Sequence, residues 1–388
     1  MALNRTYLDW NATAPLSVPA RAAMLDALQL PGNASSVHGE GRAARAAVDK
    51  ARRQVATLVG AEPTHVTFVS GATEAANHVL TPDFRMGRAP LTMGRLYVSA
   101  IEHPAIREGG RFDPADVTEV PVTRAGLVDL AALKELLESH DRSSGMPMVA
   151  VMLVNNETGV VQPVAEAAAI AHAHGGLMVV DVVQAVGRIP VDINALDADF
   201  LILSSHKIGG PKGVGALVSR GEVLMPKPLI RGGGQEKGHR SGTENFHAVV
   251  GFGAAAEAVR ENLHERNAAI EELRNRLETG MHQAAPDAII HGQAVLRVAN
   301  TCFFTLPGLK SETGQIAFDL EGIALSAGSA CSAGKVGESH VLTAMGHDPK
   351  LGALRISLGI DTTQDDIARA LAAFAKIAGR RKPAGEAA

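Results

Sequence analysis

Short apolar runs that end in polar or glycine-rich turns recur along the chain. The runs 96–99, 148–154, 177–180 and 200–203 are too short for helices and consist mostly of Val, Ile, Leu, Met and Phe, so they predict buried strands. Between them the apolar period changes. Ala44, Ala47, Val48, Ala51, Val55, Leu58 and Val59 mark one face of a helix over 42–59, with Arg and Lys filling the other face. Helices are also predicted over 19–30 and 165–173. Strands alternating with helices predict an α/β fold with a mainly parallel sheet, whose ligands gather at the carboxyl ends of the strands. At those ends stand Glu102-His103-Pro104, Asn155-Asn156-Glu157-Thr158-Gly159, Asp181-Val182-Val183-Gln184 and Ser204-Ser205-His206-Lys207. A further strand-turn-helix unit covers 66–77. Its Gly71 permits a tight turn, and the helix-opening amides with the Thr73 hydroxyl would form an anion pocket, although a helix cap is the plainer reading of Thr73.

Past residue 247 the order changes. A helix rich in Ala over 247–262 continues into 263–282 and bridges to a second unit. There the pattern predicts strand 298–306, helix 311–320, loop 326–337, helix 338–345, strand 354–358 and helix 363–377. The expected division is a large domain over 15–255, a small α+β domain from 1–14 and 256–378, and a mobile tail over 379–388. Residues 6–16 read as an extended arm. The polar, glycine-rich stretch 231–245 is too long for a simple turn and predicts a functional or interface loop.

Composition narrows the classes. The chain has 388 residues, 46% hydrophobic and 20% charged, with no apolar run of membrane-spanning length. No basic segment followed by an apolar one opens it, so the cytoplasm is the expected location. A formal charge of -4 with mixed signs and 3% aromatic content give no footprint for nucleic acid. Only Cys302 and Cys331 occur, which excludes a disulfide framework and a cysteine-built zinc site, and no HExxH is present, so no metal is expected. The segment from Gly328 to Lys335 mimics a phosphate loop but has five residues between its glycines and Val336 where Ser or Thr belongs.

Lys207 carries the central chemistry. A lysine at a strand end among buried runs loses solvation as a cation, and its neutral amine is a nucleophile of the kind that forms Schiff bases with pyridoxal phosphate; a solvated loop lysine is the plain alternative. Asp181 ends an apolar strand and calls for a cationic or hydrogen-bonded partner, a protonated pyridine nitrogen or merely the cap of the next turn. His103 reads as a ring-stacking or proton-moving group or as a turn residue. Asn156 reads as a ligand or a turn side chain. Cys302, beside Phe303 and Phe304, reads as an inert core residue.

From about Tyr7 to Ile367 these residues together resemble a cysteine desulfurase of the pyridoxal-phosphate fold-type I, aminotransferase class V group. The likeness rests on Ser70-Gly-Ala-Thr-Glu74, Glu102-His103, Asn155-Asn-Glu-Thr-Gly159, Asp181 with Gln184, Ser204-Ser-His-Lys207, Gly232-Gly-Gly-Gln-Glu236, Arg240-Ser-Gly-Thr-Glu-Asn245, Ser329-Ala-Cys331 and Arg355-Ile-Ser-Leu-Gly359. The resemblance implies a large domain with a mainly parallel seven-stranded sheet flanked by helices, plus a smaller α+β domain. It implies that Lys207 holds pyridoxal 5'-phosphate, Asp181 pairs with the pyridinium nitrogen, Gln184 touches the ring oxygen and His103 stacks on the ring. Ala72, Thr73, Ser204 and His206 would hold the phosphate, joined by Thr243 from the second subunit of a homodimer. Arg355 and Asn156 would meet the carboxylate of L-cysteine. Lys207 would act as base at Cα, and Cys331 would take the sulfur as a persulfide for acceptors such as an iron-sulfur scaffold. A selenocysteine lyase or another class V enzyme would share the cofactor residues, though a transaminase has no use for Cys331. Two positions depart from the family pattern: Ser205 stands where glycine is common and Gly210 where an aromatic residue is. The stretch 82–93 matches poorly and is expected to be a surface connection.

Overall fold

The structure is a computed structural model that describes residues 5–328 and 338–381. Cys331 and the tail from residue 382 lie outside the described residues. The main sheet runs in the order Val117–Val120, Ala89–Ser99, Met146–Met152, Leu177–Asp181, Phe200–Ser204, Gly215–Ser219, Val66–Val69. Neighbours are parallel as far as Phe200–Ser204, and Gly215–Ser219 runs against both of its neighbours. The uninterrupted apolar strands follow from burial on both faces. Val149, Val151, Met178, Val180, Leu201 and Leu203 join one core with Val48, Val55, Ala167 and Phe252 from the helices on that side. The alternate residues Met148, Ala150, Leu177, Val179, Phe200 and Ile202 join a second core with Ala75, Ala76 and Val79. With period two, each strand thus supplies both cores.

The stretch 82–93 is more than a surface connection. Asp83–Met86 pairs antiparallel with the start of Ala89–Ser99 and with Leu224–Pro226, bringing the sheet to nine strands. Phe84 is fully buried edge-on against Phe200, with ring centroids 5.9 Å apart. The sequence Asp-Phe-Arg-Met hides this strand because a single side chain carries its packing.

The remainder forms an antiparallel sheet in the order Ile289–Ile290, Thr301–Thr305, Leu354–Ser357, Ser326–Ala327. Leu277 and Met281 from Leu263–Ala284, Phe318 from Ser311–Leu320 and Phe374 from Gln364–Arg380 pack with Phe304 and Ile356 of that sheet. The last helix reaches Arg380, so the start of the expected tail is helical. The expected bridging helix is two helices, Phe246–Ala258 and Leu263–Ala284, separated around Asn262, which adopts a left-handed φ of 50°. Ala248, Phe252 and Ala255 of the first belong to the large core, while Ile270 and Leu277 of the second belong to the small one. The arm pairs in parallel with Ile323–Ala324 through Thr6–Tyr7, and Asp9 bridges to Ser357.

Candidate active site

The strand ends converge on a cavity of about 610 Å³. Ala72, Thr73, His103, Asn156, Asp181, Gln184, Ser204, His206, Lys207 and Arg355 all line it. Thr243 does not; it is exposed on the 231–245 stretch.

Lys207 leaves the Phe200–Ser204 strand through a single 3₁₀ turn, Ser205–Lys207. Its Nζ donates to the carbonyl oxygens of Asn11 at 2.7 Å and Ala12 at 2.8 Å. Asp181 is the last residue of its strand, and its Oδ1 accepts from the Val183 amide at 2.8 Å, so the turn-capping reading holds. Burial nevertheless pushes this carboxyl up to about 6, against the opposing pull of the Val183 amide and the Lys207 ammonium. A carboxylate in that condition is stabilised by a further cation. His103 caps the Pro104–Arg107 turn, with Nδ1 accepting from the Ala105 amide at 3.1 Å. Burial, Lys207 and His340 push it down to about 4, so the ring is neutral and its proton sits on Nε2. His206 is likewise pushed down to about 4, by burial and by Lys207 and Lys212.

No side chain caps the Ala72–Val79 helix, whose N-cap is Gly71. Its opening amides and dipole are therefore available to an anion at the cavity wall. A Cβ at Gly215 would come within 2.8 Å of the Gly71 backbone, so glycine on that strand lets the turn settle against the sheet. Arg355 reaches in from the Leu354–Ser357 strand and is 2% exposed. Its Nη1 donates to the Asn156 carbonyl at 2.8 Å, and its Nη2 pairs with Asp9 Oδ1 at 2.9 Å. The donor set fits a planar cofactor with a cationic ring nitrogen and a phosphate, next to a lysine amine and an arginine suited to a carboxylate.

The family model for aminotransferase class V matches residues 6–370. The chain is 38% identical to the IscS-like cysteine desulfurase of Mycobacterium tuberculosis over 94% of each chain. It is 39% identical to the cysteine desulfurase of Cereibacter sphaeroides over 95% of this chain and 94% of that one. This chain belongs to the aminotransferase class-V family, among its cysteine desulfurases. Its fold agrees: a NifS-like protein from Rickettsia africae superposes with a TM-score of 0.86 at 34% identity, covering 96% of this chain and 99% of the other. Membership implies pyridoxal phosphate as cofactor. Among the described residues, no helix of this desulfurase is long and apolar enough to cross a membrane.

One residue beside the site, Asn11, was not singled out by the sequence. Asn11 is buried in the arm; its carbonyl accepts from Gln184 Nε2 at 3.0 Å as well as from Lys207, and its side chain bonds Thr301 and Asn300. The spacing Asp9-x-Asn11 in an otherwise apolar arm was the available signal. Glu102 accepts from the Met152 amide at 2.7 Å, and burial, reinforced by the Asp181 charge, raises it well above the usual carboxylate range. Glu157 is pushed up to about 7 by burial, against Ser339, whose Oγ donates to it at 2.5 Å, and Arg355. Cys302 is buried in its strand, and burial raises its thiol well above the usual range, which leaves it inert. The two departures from the family pattern lie side by side: a Cβ at Gly210 would come within 2.1 Å of Ser205 Oγ, so a side chain at 210 would force that hydroxyl to move.

Proposed function

We propose that this desulfurase converts L-cysteine to L-alanine with pyridoxal 5'-phosphate and stores the sulfur on Cys331 as a persulfide. The observation that supports this is the shared cavity of Lys207, Asp181, His103 and Arg355. In this reading Lys207 would anchor the cofactor and Asp181 would supply the negative charge that its ring nitrogen calls for. Gln184 would bond the ring oxygen and neutral His103 would pack on the ring. The amides at Ala72 and Thr73, with Ser204 and His206, would hold the phosphate, joined by Thr243 from the second subunit of a homodimer. When bound, the cofactor supplies an electron sink for negative charge at the substrate Cα. Arg355 and Asn156 would orient the substrate carboxylate, and the Lys207 amine would take the Cα proton and return it to Cα before alanine leaves. Cys331 Sγ, as thiolate, attacks the substrate sulfur. An S–S bond forms, the Cβ–S bond breaks, and the electron pair left at Cβ is closed by a proton. The balance is cysteine plus enzyme thiol to alanine plus enzyme persulfide, with no outside oxidant or reductant. The sulfur then passes to an acceptor such as an iron-sulfur scaffold; in this reading the main sheet with the cores on its two faces forms the large domain, and the antiparallel sheet with its own core belongs to the small one.

The test is turnover of L-cysteine in the presence of a thiol reductant, with alanine and sulfide measured together. Equal yields are expected. Cys331→Ala is expected to lose sulfide release while keeping the visible absorbance of the bound cofactor; undiminished sulfide release by that variant would remove the persulfide step.

A further inference from the structure

Lys207 also borders a second cavity, of about 360 Å³. Its wall is mainly apolar, with Trp10, Leu16, Ile208, Val259, Leu358 and Ile360 drawn from the arm and from both halves of the fold. Arg188 breaks that pattern. It is 9% exposed, and only its Nη1 is engaged, donating to the Gln184 backbone oxygen at 2.6 Å and to Gln184 Oε1 at 2.5 Å. Among the described residues no carboxylate pairs with it, and its Nε and Nη2 have no hydrogen-bond partner. Those atoms are not fully enclosed in protein either, and the cavity Arg188 lines is this one. Nearby Arg266 also bonds only carbonyl oxygens, those of Gly187, Val259 and Glu261. The one acid at the wall, Asp361, is exposed and forms no ion pair with either.

A guanidinium withdrawn from water without a counter-ion is costly, and burial pushes Arg188 down to about 9, with the nearby Arg355 adding to the effect. Its free Nε and Nη2 form the fork that matches the two oxygens of a carboxylate. The apolar wall suits a short hydrocarbon body, and the volume lies in the range of small-molecule sites.

We propose that this cavity is a binding site for a small amphipathic carboxylate, an aryl-alkanoic or short fatty acid, whose carboxylate takes the Nε and Nη2 edge of Arg188. Because Nη1 of Arg188 holds Gln184 and Lys207 borders both cavities, an occupant sits one residue from the reaction site. Because Trp10 and Leu358 come from the arm and small unit, while Ile208 comes from the large one, the occupant also braces the two halves.

Trp10 is the only tryptophan of the chain, so its emission reports on this cavity alone. The cofactor-loaded enzyme is titrated with 3-phenylpropionate and, separately, with the neutral 3-phenylpropanamide, followed by Trp10 emission and by calorimetry. Saturable binding of the acid is expected, with the amide weaker by about tenfold or more, the loss of one charge-assisted pair. Arg188→Met is expected to abolish acid binding. Leu16→Phe, which fills the mouth and leaves Arg188 in place, should weaken both probes and guards against a folding defect in the first variant. Equal binding of acid and amide, no saturable signal with the acid, or acid binding that survives in Leu16→Phe and Arg188→Met would overturn the assignment.

Discussion

The open edge of the main sheet is closed by an ion pair instead of a strand. Val66–Val69 is the terminal strand, and its outward groups are taken by side chains: Arg52 Nη1 donates to the Val66 carbonyl at 2.6 Å, and Glu236 Oε2 accepts from the Phe68 amide at 2.9 Å. The same guanidinium and carboxylate bond each other twice, at 2.7 and 2.6 Å, with side-chain exposures of 17% and 2%. Arg52 also lies 4.9 Å above the Phe68 ring. Replacing Glu236 with Leu removes the acceptor of a buried amide, worth roughly 1.5–3 kcal/mol for a bond to a charged group. It also leaves Arg52 unpaired, which costs about 3–5 kcal/mol at a fully enclosed site. Arg52 keeps some contact with water and can turn outward, so the second cost is largely relieved and the net loss is about 3 kcal/mol. Adding Arg52→Met should recover about 1–2 kcal/mol of it, since no stranded charge then remains. Urea unfolding of the two single variants and the double variant gives the coupling, and hydrogen exchange at the Phe68 amide gives the local effect. A protection loss of roughly a hundredfold at Phe68 corresponds to about 3 kcal/mol. A stability change below about 0.5 kcal/mol with Phe68 exchange unaltered would refute this account of the edge.

Two further outcomes follow from the side chains. His172 bonds Asp197 through Nδ1 at 2.9 Å and Asp199 through Nε2 at 2.8 Å. Burial lowers its pKa, but the two carboxylates outweigh burial and raise it, so its contribution is complete below the unfolded value of about 6.5 and fades as pH rises through the folded one. His172→Gln should therefore lose roughly 1 kcal/mol in urea unfolding at mildly acidic pH and progressively less under alkaline conditions. Gly210→Ala places a methyl against Ser205 Oγ and should cost about 1–3 kcal/mol, most of it restored by adding Ser205→Gly; simple additivity in thermal unfolding would show that the two positions are not coupled.

The strands most legible in the sequence were those buried on both faces. Continuous runs such as Phe200–Ser204 announce themselves, whereas Asp83–Met86 carries its burial on Phe84 alone and reads as loop. Candidate positions at strand carboxyl ends were legible because polar residues after apolar runs are conspicuous. Arg188 and Asn11 were not, since each takes its role from segments far away in the chain: Arg188 from a cavity assembled by both halves, Asn11 from its contacts with Lys207 and Thr301. The helix break at Asn262 was also hidden, because a left-handed asparagine leaves no trace in an alternation of apolar and charged residues. Ser205 and Gly210 looked like two unrelated departures until their separation in space became known.

The carbonyls that restrain Lys207 belong to Asn11 and Ala12, yet the arm bearing them is fastened by Ile323–Ala324 and by Ser357. On the ribosome the arm emerges early and must wait for partners more than three hundred positions later. A growing chain can thus complete its main sheet while the reactive amine still lacks its restraint. A polypeptide cut short between residues 208 and 322 would keep the lysine and never acquire the arm's pairing with Ile323–Ala324, so the full restraint on the amine comes only once those residues have been made.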